Sequence, residues 1–296
     1  MSSIKVATIC PRMALCDRER NIKNLEGWSA KAKNAGADMA VFPEMFISGY
    51  LESFMIDAGY AHRETFLSMS EPTPGPTTRR LEKLSRELGI FICAGMLERD
   101  GQNNYNTQVM IDPAKGYVGR YRKVQIGGGE KWFCTPGDDW PVFDVLGVPT
   151  GVMLCRDKSH PEVARILALE GAQLLLVPHS TTDFAQMAFT TYSHRLCVGR
   201  AIENGCYVIA NNNIYDCPMQ GECRQAGYNM AIDPYGNTIH CDEGPGDEEK
   251  MALIDVDTAV VTQRRMREGL ESFNLWTRRP QVYQRLVEDR GTSPGI

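Results

Sequence analysis

Short apolar runs alternate along this chain with longer stretches of helical periodicity, and that alternation restricts the fold to sheets covered by helices. Runs at 4–9, 39–42 and 90–96 read as strands separated by helical segments at 21–35 and 77–88. The pattern then changes. Residues 105–111 and 117–122 flank Asp112-Pro113-Ala114-Lys115-Gly116, a turn-rich connection suited to a hairpin. Strands at 142–145, 150–154, 174–177, 208–211, 228–232 and 252–255 follow, with helices at 162–170 and 189–204. This mixture calls for an α/β protein with more antiparallel pairing than a doubly wound sheet supplies.

A chain of 296 residues with 43% hydrophobic content can bury a large core. No linker divides it, so residues 1–285 are expected to form one domain and 286–296 a loose tail. The Pro/Gly-rich segment 71–76 runs straight into a helical pattern and reads as a helix start. A net charge of −5 with both signs interspersed argues against a nucleic-acid surface and against a polybasic membrane patch. No apolar run follows the first residues, so neither a signal peptide nor a membrane span is expected, and the location is expected to be cytoplasmic. Ten cysteines are scattered without a disulfide-like framework. Cys217 and Cys223 lie close together, but no CxxC pair or spaced histidine completes a metal set, so no metal site is expected.

Three reactive side chains stand where strand-like runs end: Glu44 in AVFPEMF, Lys123 in VGRYRKVQI and Cys155 in PTGVMLCRDKSHPE. Acyl transfer needs a nucleophile, a group to take and return its proton, and a cation for the developing oxyanion. A thiol, a carboxylate and an ammonium supply those roles. Taken singly, each is equally a buried cysteine, a strand-end glutamate or a surface lysine. Cys155 also stands just before a helical segment, whose positive end is expected to favour a thiolate there.

The segments FPEMF…GY, GRYRKVQI, EKWFCTPGDD, CRDKSHPEVARILALEGAQLLLVP and RAIENGCYVIANNN occur in that order. Together they closely resemble the carbon–nitrogen hydrolase family, or nitrilase superfamily, from Ile4 to about Tyr283. The resemblance implies a four-layer α-β-β-α sandwich, with Glu44 as general base and acid, Lys123 as oxyanion-stabilising cation and Cys155 as nucleophile. Glu130 matches a second glutamate that supports the lysine and the substrate. Family nitrile hydrolases carry an aromatic residue and a glutamate after the cysteine. Arg156-Asp157 here points instead to an amide or N-carbamoyl substrate, hydrolysed through a thioester with release of ammonia.

Acyl transfer to an amine, nitrile hydrolysis and an idle binding scaffold are the alternatives. Arg156 and Lys158 are candidates to hold a substrate carboxylate, or else are solvated or internally paired cations. His179, Trp132, Tyr50 and Phe54 are candidates for lining the pocket, with core packing the alternative for the aromatics. His160 reads as loop support, and Asp157 and Glu162 as local hydrogen-bonding groups. Gly127-Gly128-Gly129 lacks the GK[ST] of a phosphate loop. The resemblance implies no cofactor, a small-molecule partner, no nucleic acid or membrane, and a homodimer or higher homo-oligomer.

Overall fold

The computed structural model describes residues 2–51, 63–181, 192–216, 224–225, 227–242, 246–267 and 273–288. In chain order the first strands are β1 (Ser3–Cys10), β2 (Met39–Val41), β3 (Phe91–Asp100), β4 (Asn103–Asp112) and β5 (Gly116–Arg122). Next come β6 (Val142–Val145), β7 (Val148–Val152), β8 (Leu174–His179) and β9 (Tyr207–Asn212). The last are β10 (Tyr215–Asp216), β11 (Arg224–Gln225), β12 (Tyr228–Ile232), β13 (Thr238–Cys241) and β14 (Lys250–Asp257). The described helices are α1 (Arg18–Asn34), α2 (Arg63–Leu67), α3 (Pro76–Leu88), α4 (Pro161–Leu169), α5 (His194–Asn204) and α6 (Thr258–Met266). Of the helix expected at 189–204, residues 189–191 lie outside the described residues.

Two six-stranded sheets carry the architecture, ordered β14-β1-β2-β3-β4-β5 and β13-β12-β9-β8-β7-β6. Each has three parallel strands at its centre, β1-β2-β3 in one and β7-β8-β9 in the other, flanked by antiparallel neighbours. Parallel neighbours need crossovers, and α1, α3, α4 and α5 lie in them. The expected hairpin joins β4 to β5. Asp112 Oδ1 accepts the N–H groups of Ala114 and Lys115, which closes that turn.

β8 shows why there are four layers. Leu174 and Leu176 pack between the sheets with Val6, Val41, Cys93, Val152 and Ile209, whereas Leu175 and Val177 pack outward with Val163, Leu167, Cys197 and Ala201 of α4 and α5. Successive strand side chains point to opposite faces, so an unbroken apolar run serves two cores at once. On the far side Ala40, Ile92 and Val109 pack under Leu25, Trp28 and Leu81 of α1 and α3. Among the described residues no helix is long and apolar enough to cross a membrane.

This arrangement gathers three strand ends. Glu44 follows β2, Lys123 follows β5 and Cys155 follows β7, so the first two come from one sheet and the third from the other. The Glu44 segment is pressed against β3: a Cβ on Gly95 would lie 2.3 Å from the Met45 nitrogen and 2.6 Å from the Pro43 carbonyl oxygen. Only glycine permits that approach.

Candidate active site

Glu44, Lys123 and Glu130 form one buried cluster. Lys123 Nζ donates to Glu44 Oε1 at 2.7 Å and to Glu130 Oε2 at 2.7 Å, with all three side chains closed to solvent. An ammonium has three hydrogens, so one remains for a third acceptor. Burial opposes the lysine's charge, yet the Glu130 and Glu44 carboxylates outweigh it and hold Lys123 well above its ordinary value. Lys123 stays a cation throughout the useful pH range.

Glu44 behaves in the opposite sense. Burial pushes its carboxyl up to about 7; Lys123 and hydrogen bonds draw it down, and the Glu130 charge adds to the rise. Its Oε1 accepts from Lys123 Nζ and from Asn106 Nδ2, both at 2.7 Å, and its Oε2 accepts the Ser180 N–H at 2.8 Å. Oε1 is therefore filled, and Oε2 keeps the open lone pair on which a proton can land. Asn213 Nδ2 supports the same segment at 3.3 Å from the Glu44 carbonyl oxygen.

Glu130 lies in a 3₁₀ turn, Gly128–Trp132, and its Oε2 also accepts the Gly127 N–H at 2.7 Å. The glycine-rich stretch thus closes the turn that carries this carboxylate. Cys134, buried just beyond, donates its backbone N–H to the Glu130 carbonyl at 2.7 Å.

Cys155 has a backbone φ of 44°, the left-handed region that costs a non-glycine residue energy and recurs at functional turns. The helix-dipole expectation at this turn is corrected. Cys155 opens a short 3₁₀ turn, Cys155–Ser159, and the α-helix α4 starts only at Pro161, six residues further along the chain. Burial instead pushes the thiol up to about 12, the nearby Glu44 charge adding to it against Lys123 and Lys158. A thiol pushed up in this way acts as a nucleophile only once a base takes its proton.

Asp157 fixes the turn. Its Oδ2 accepts the Tyr121 hydroxyl at 2.7 Å and the Leu154 N–H at 2.8 Å, and its Oδ1 accepts the Gln125 N–H at 2.9 Å. One buried carboxylate therefore ties the strand end bearing Lys123 to the turn bearing Cys155. Burial raises its own pKa despite those donors and the Lys123 charge. The sequence reading made Asp157 a local helix-start group; its hydrogen bonds reach the other sheet.

The remaining candidates separate. Lys158 is buried, and its Nζ donates to the Cys155 carbonyl oxygen at 3.1 Å, so its ammonium supports the main chain at Cys155. Arg156 is exposed, and its side chain runs beside Gly127, where an added Cβ would lie 3.6 Å from Arg156 Cδ. His179 ends β8 fully buried, its ring held neutral by burial and by the Lys158 charge; the next residue, Ser180, is the one that binds Glu44. Trp132 is 60% exposed, and its carbonyl accepts from Arg63 Nε at 3.0 Å. Tyr50 is buried in the core under α1, His160 Nδ1 lies 3.3 Å from the Arg156 carbonyl oxygen, and Phe54 lies outside the described residues.

Asn106, Ser180, Asn213 and Tyr121 were missed in the sequence. For Asn106 a signal existed: Asn106-Thr107-Gln108 is a polar run inside β4 whose members are all buried. A central strand does not bury three polar side chains without partners. Among the described residues no group of three or more His, Cys, Asp or Glu side chains is arranged to hold a metal ion. A cavity of about 1080 Å³ between α4 and residues 274–287, lined by Trp140, Ile166, Leu169, Tyr283 and Leu286, contains none of the reactive groups.

The family model described as carbon-nitrogen hydrolase matches residues 5–266. A nitrilase of Pyrococcus abyssi is 28% identical, the match covering 95% of this chain and 100% of the relative. An N-carbamoylputrescine amidase of Solanum lycopersicum is 27% identical, with 98% of each chain covered. Among solved structures, a carbon-nitrogen hydrolase from Helicobacter pylori G27 superposes with a TM-score of 0.84 at 20% identity, covering 97% of this chain and 99% of that one. At that identity the superposition speaks for the fold.

Proposed function

Because the chain belongs to the carbon–nitrogen hydrolase family, in the amidase-like branch of the nitrilase superfamily, we propose that it hydrolyses a small linear amide or N-carbamoyl compound through a Cys155 thioester. The observation that carries this reading is the gathering of a thiol, a carboxylate and an ammonium at three strand ends, with Lys123 Nζ 2.7 Å from both Glu44 Oε1 and Glu130 Oε2 and the Glu44 carboxyl pushed up to about 7.

Glu44 takes the Cys155 proton on Oε2 as the sulfur bonds to the substrate carbonyl carbon, and the carbonyl oxygen becomes an oxyanion. The third hydrogen of Lys123 holds that charge, since its other two are committed to Glu44 and Glu130. Collapse breaks the carbon–nitrogen bond as Glu44 returns its proton to the departing ammonia, leaving a thioester. A water then gives a proton to Glu44 and its oxygen to the acyl carbon, and the acid, or a carbamate, leaves as the thiol is restored.

Within this class the substrate carries a carboxylate that the exposed Arg156 guanidinium receives. What supports this is a cation directly after the nucleophile, beside the Gly127 loop, with no ion pair among the described residues. The protein acts on small molecules in the cytoplasm, without nucleic acid or membrane, and self-associates. Exposed Leu169, Trp276, Val282, Leu286 and Val287, on α4 and the C-terminal segment, support self-association.

The decisive experiment screens ammonia release from ω-amides, aliphatic and aromatic amides, N-carbamoyl compounds and nitriles, followed by mass spectrometry of enzyme quenched during turnover. An acyl adduct on Cys155 and loss of turnover in Cys155→Ala are expected. An adduct on another cysteine, or an active alanine variant, overturns the mechanism. For the substrate class, an acid and its matched neutral amide are compared. Equal kcat/KM for the two, unchanged in Arg156→Ala, removes the carboxylate assignment and leaves the amidase.

A further inference from the structure

Two buried carboxylates share one buried ammonium, and one amide nitrogen touches both of them. Asn106 Nδ2 donates to Glu44 Oε1 at 2.7 Å and to Glu130 Oε1 at 2.6 Å. A pair of buried like charges is commonly relieved by one proton held between them, as in carboxylate dyads. Such a proton would be ruinous here. It would leave one negative charge for two sites, and Glu44 could no longer accept from a thiol that keeps its own proton near neutrality.

An amide NH₂ offers two hydrogens and surrenders neither. Asn106 sets one on each carboxylate, in the position a shared proton would occupy. The amide's orientation follows from this, because the reversed amide would turn its oxygen against both carboxylates. Its Oδ1 points elsewhere and is buried without a hydrogen-bond partner, an arrangement that packing alone does not favour. The residue is placed by β4, where its carbonyl oxygen accepts the Lys123 N–H at 2.8 Å, so the same residue also sets where the ammonium begins.

We propose that Asn106 is the positioning residue that keeps Glu44 and Glu130 from sharing a proton, so that Glu44 remains a base and Glu130 remains the partner of Lys123. This rests on Glu44 acting as the base in the reaction above. Among the described residues, the charged and titratable groups facing Glu44 are Lys123 at the end of β5, Glu130 and Cys134 from the turn region after it, and Cys155 from the turn after β7, with Lys158 acting on Cys155 from the same turn. His179, at the end of β8, is held neutral and contributes no charge.

The test has two readouts on Asn106→Leu and on Asn106→Ala, each of which removes both donors without adding a charge. Glutamates labelled with ¹³C at the carboxyl carbon are titrated by NMR in a Cys155→Ala background, with Glu44→Gln and Glu130→Gln spectra giving the assignments. The Glu44 midpoint is expected to rise by about one pH unit or more, a tenfold gain in proton affinity. In the Cys155-containing protein, the acid limb of kcat/KM moves up by the same amount, so the activity lost at low pH returns as pH is raised.

An Asn106 variant that is folded, yet has an unmoved Glu44 midpoint or a loss of activity independent of pH, overturns the proposal. If Asn106→Leu does not fold, Asn106→Ala carries the same two outcomes. If no amide or N-carbamoyl compound is turned over by the parent, the fault lies with the proposed reaction, and the carboxyl titration still decides the role of Asn106.

Discussion

On the proposed reaction, Glu44 is the residue whose protonation sets the working pH. Its carboxyl lies near 7, so its base form fills in as pH rises, and kcat/KM is expected to climb through an acid limb near pH 7. Glu44→Gln should lower kcat by roughly 10²-fold or more and erase that limb. A stability effect accompanies it. A carboxyl raised on folding holds its proton more tightly in the folded state, so its ionisation opposes folding. The parent should therefore lose stability relative to Glu44→Gln as pH rises from 4.5 to about 7, with little further change above. Thermal melts of the two proteins across that range check the sign, and a constant difference would contradict it. At this scale the sequence offered the candidate groups but misjudged the thiol, which burial pushes up where a helix end was expected to draw it down.

The turn Cys155–Ser159 and the end of β5 act together through Asp157, which accepts three hydrogen bonds from Tyr121, Gln125 and Leu154. Asp157→Asn would turn an NH₂ toward one of those donors. The expected cost is about 1–3 kcal/mol of stability for the buried unsatisfied group, with a fall in kcat because the sulfur and the ammonium lose their common tether. Tyr121→Phe removes a single donor and should cost only about 0.5–1.5 kcal/mol. Urea unfolding beside steady-state kinetics separates the two, and an Asp157→Asn protein with parental kcat would show that the tether is idle. The strands flanking this region were readable from period and turn chemistry. The role of Asp157 was not, since its partners Tyr121 and Gln125 come from a distant part of the chain.

Across the whole molecule the site depends on the core between the sheets, because Glu44 and Lys123 stand on one sheet and Cys155 on the other. Leu176 lies in that core with Val41 and Val152, the residues that end β2 and β7. Leu176→Ala should cost about 2–5 kcal/mol by leaving a cavity, and should depress kcat by loosening the register between strand ends. If residues 1–285 behave as one domain, calorimetry of parent and variant will show a single transition, shifted down in the variant. Two separated transitions would mean that the sheets melt independently.

The sequence by itself determined the local elements and the chemistry within reach. Apolar runs such as Leu174–Val177 read as buried strands, and the ordered motifs offered Glu44, Lys123, Glu130 and Cys155 as candidates for one site. Tertiary structure decided what those groups are worth. The raised proton affinity of Glu44 and of the Cys155 thiol, the burial of Lys158 behind Cys155 and the double contact of Asn106 all arise from parts of the chain that meet only after two sheets pack. Desolvation and short hydrogen bonds act through space and over a few ångströms, so no pattern along the sequence could set their balance.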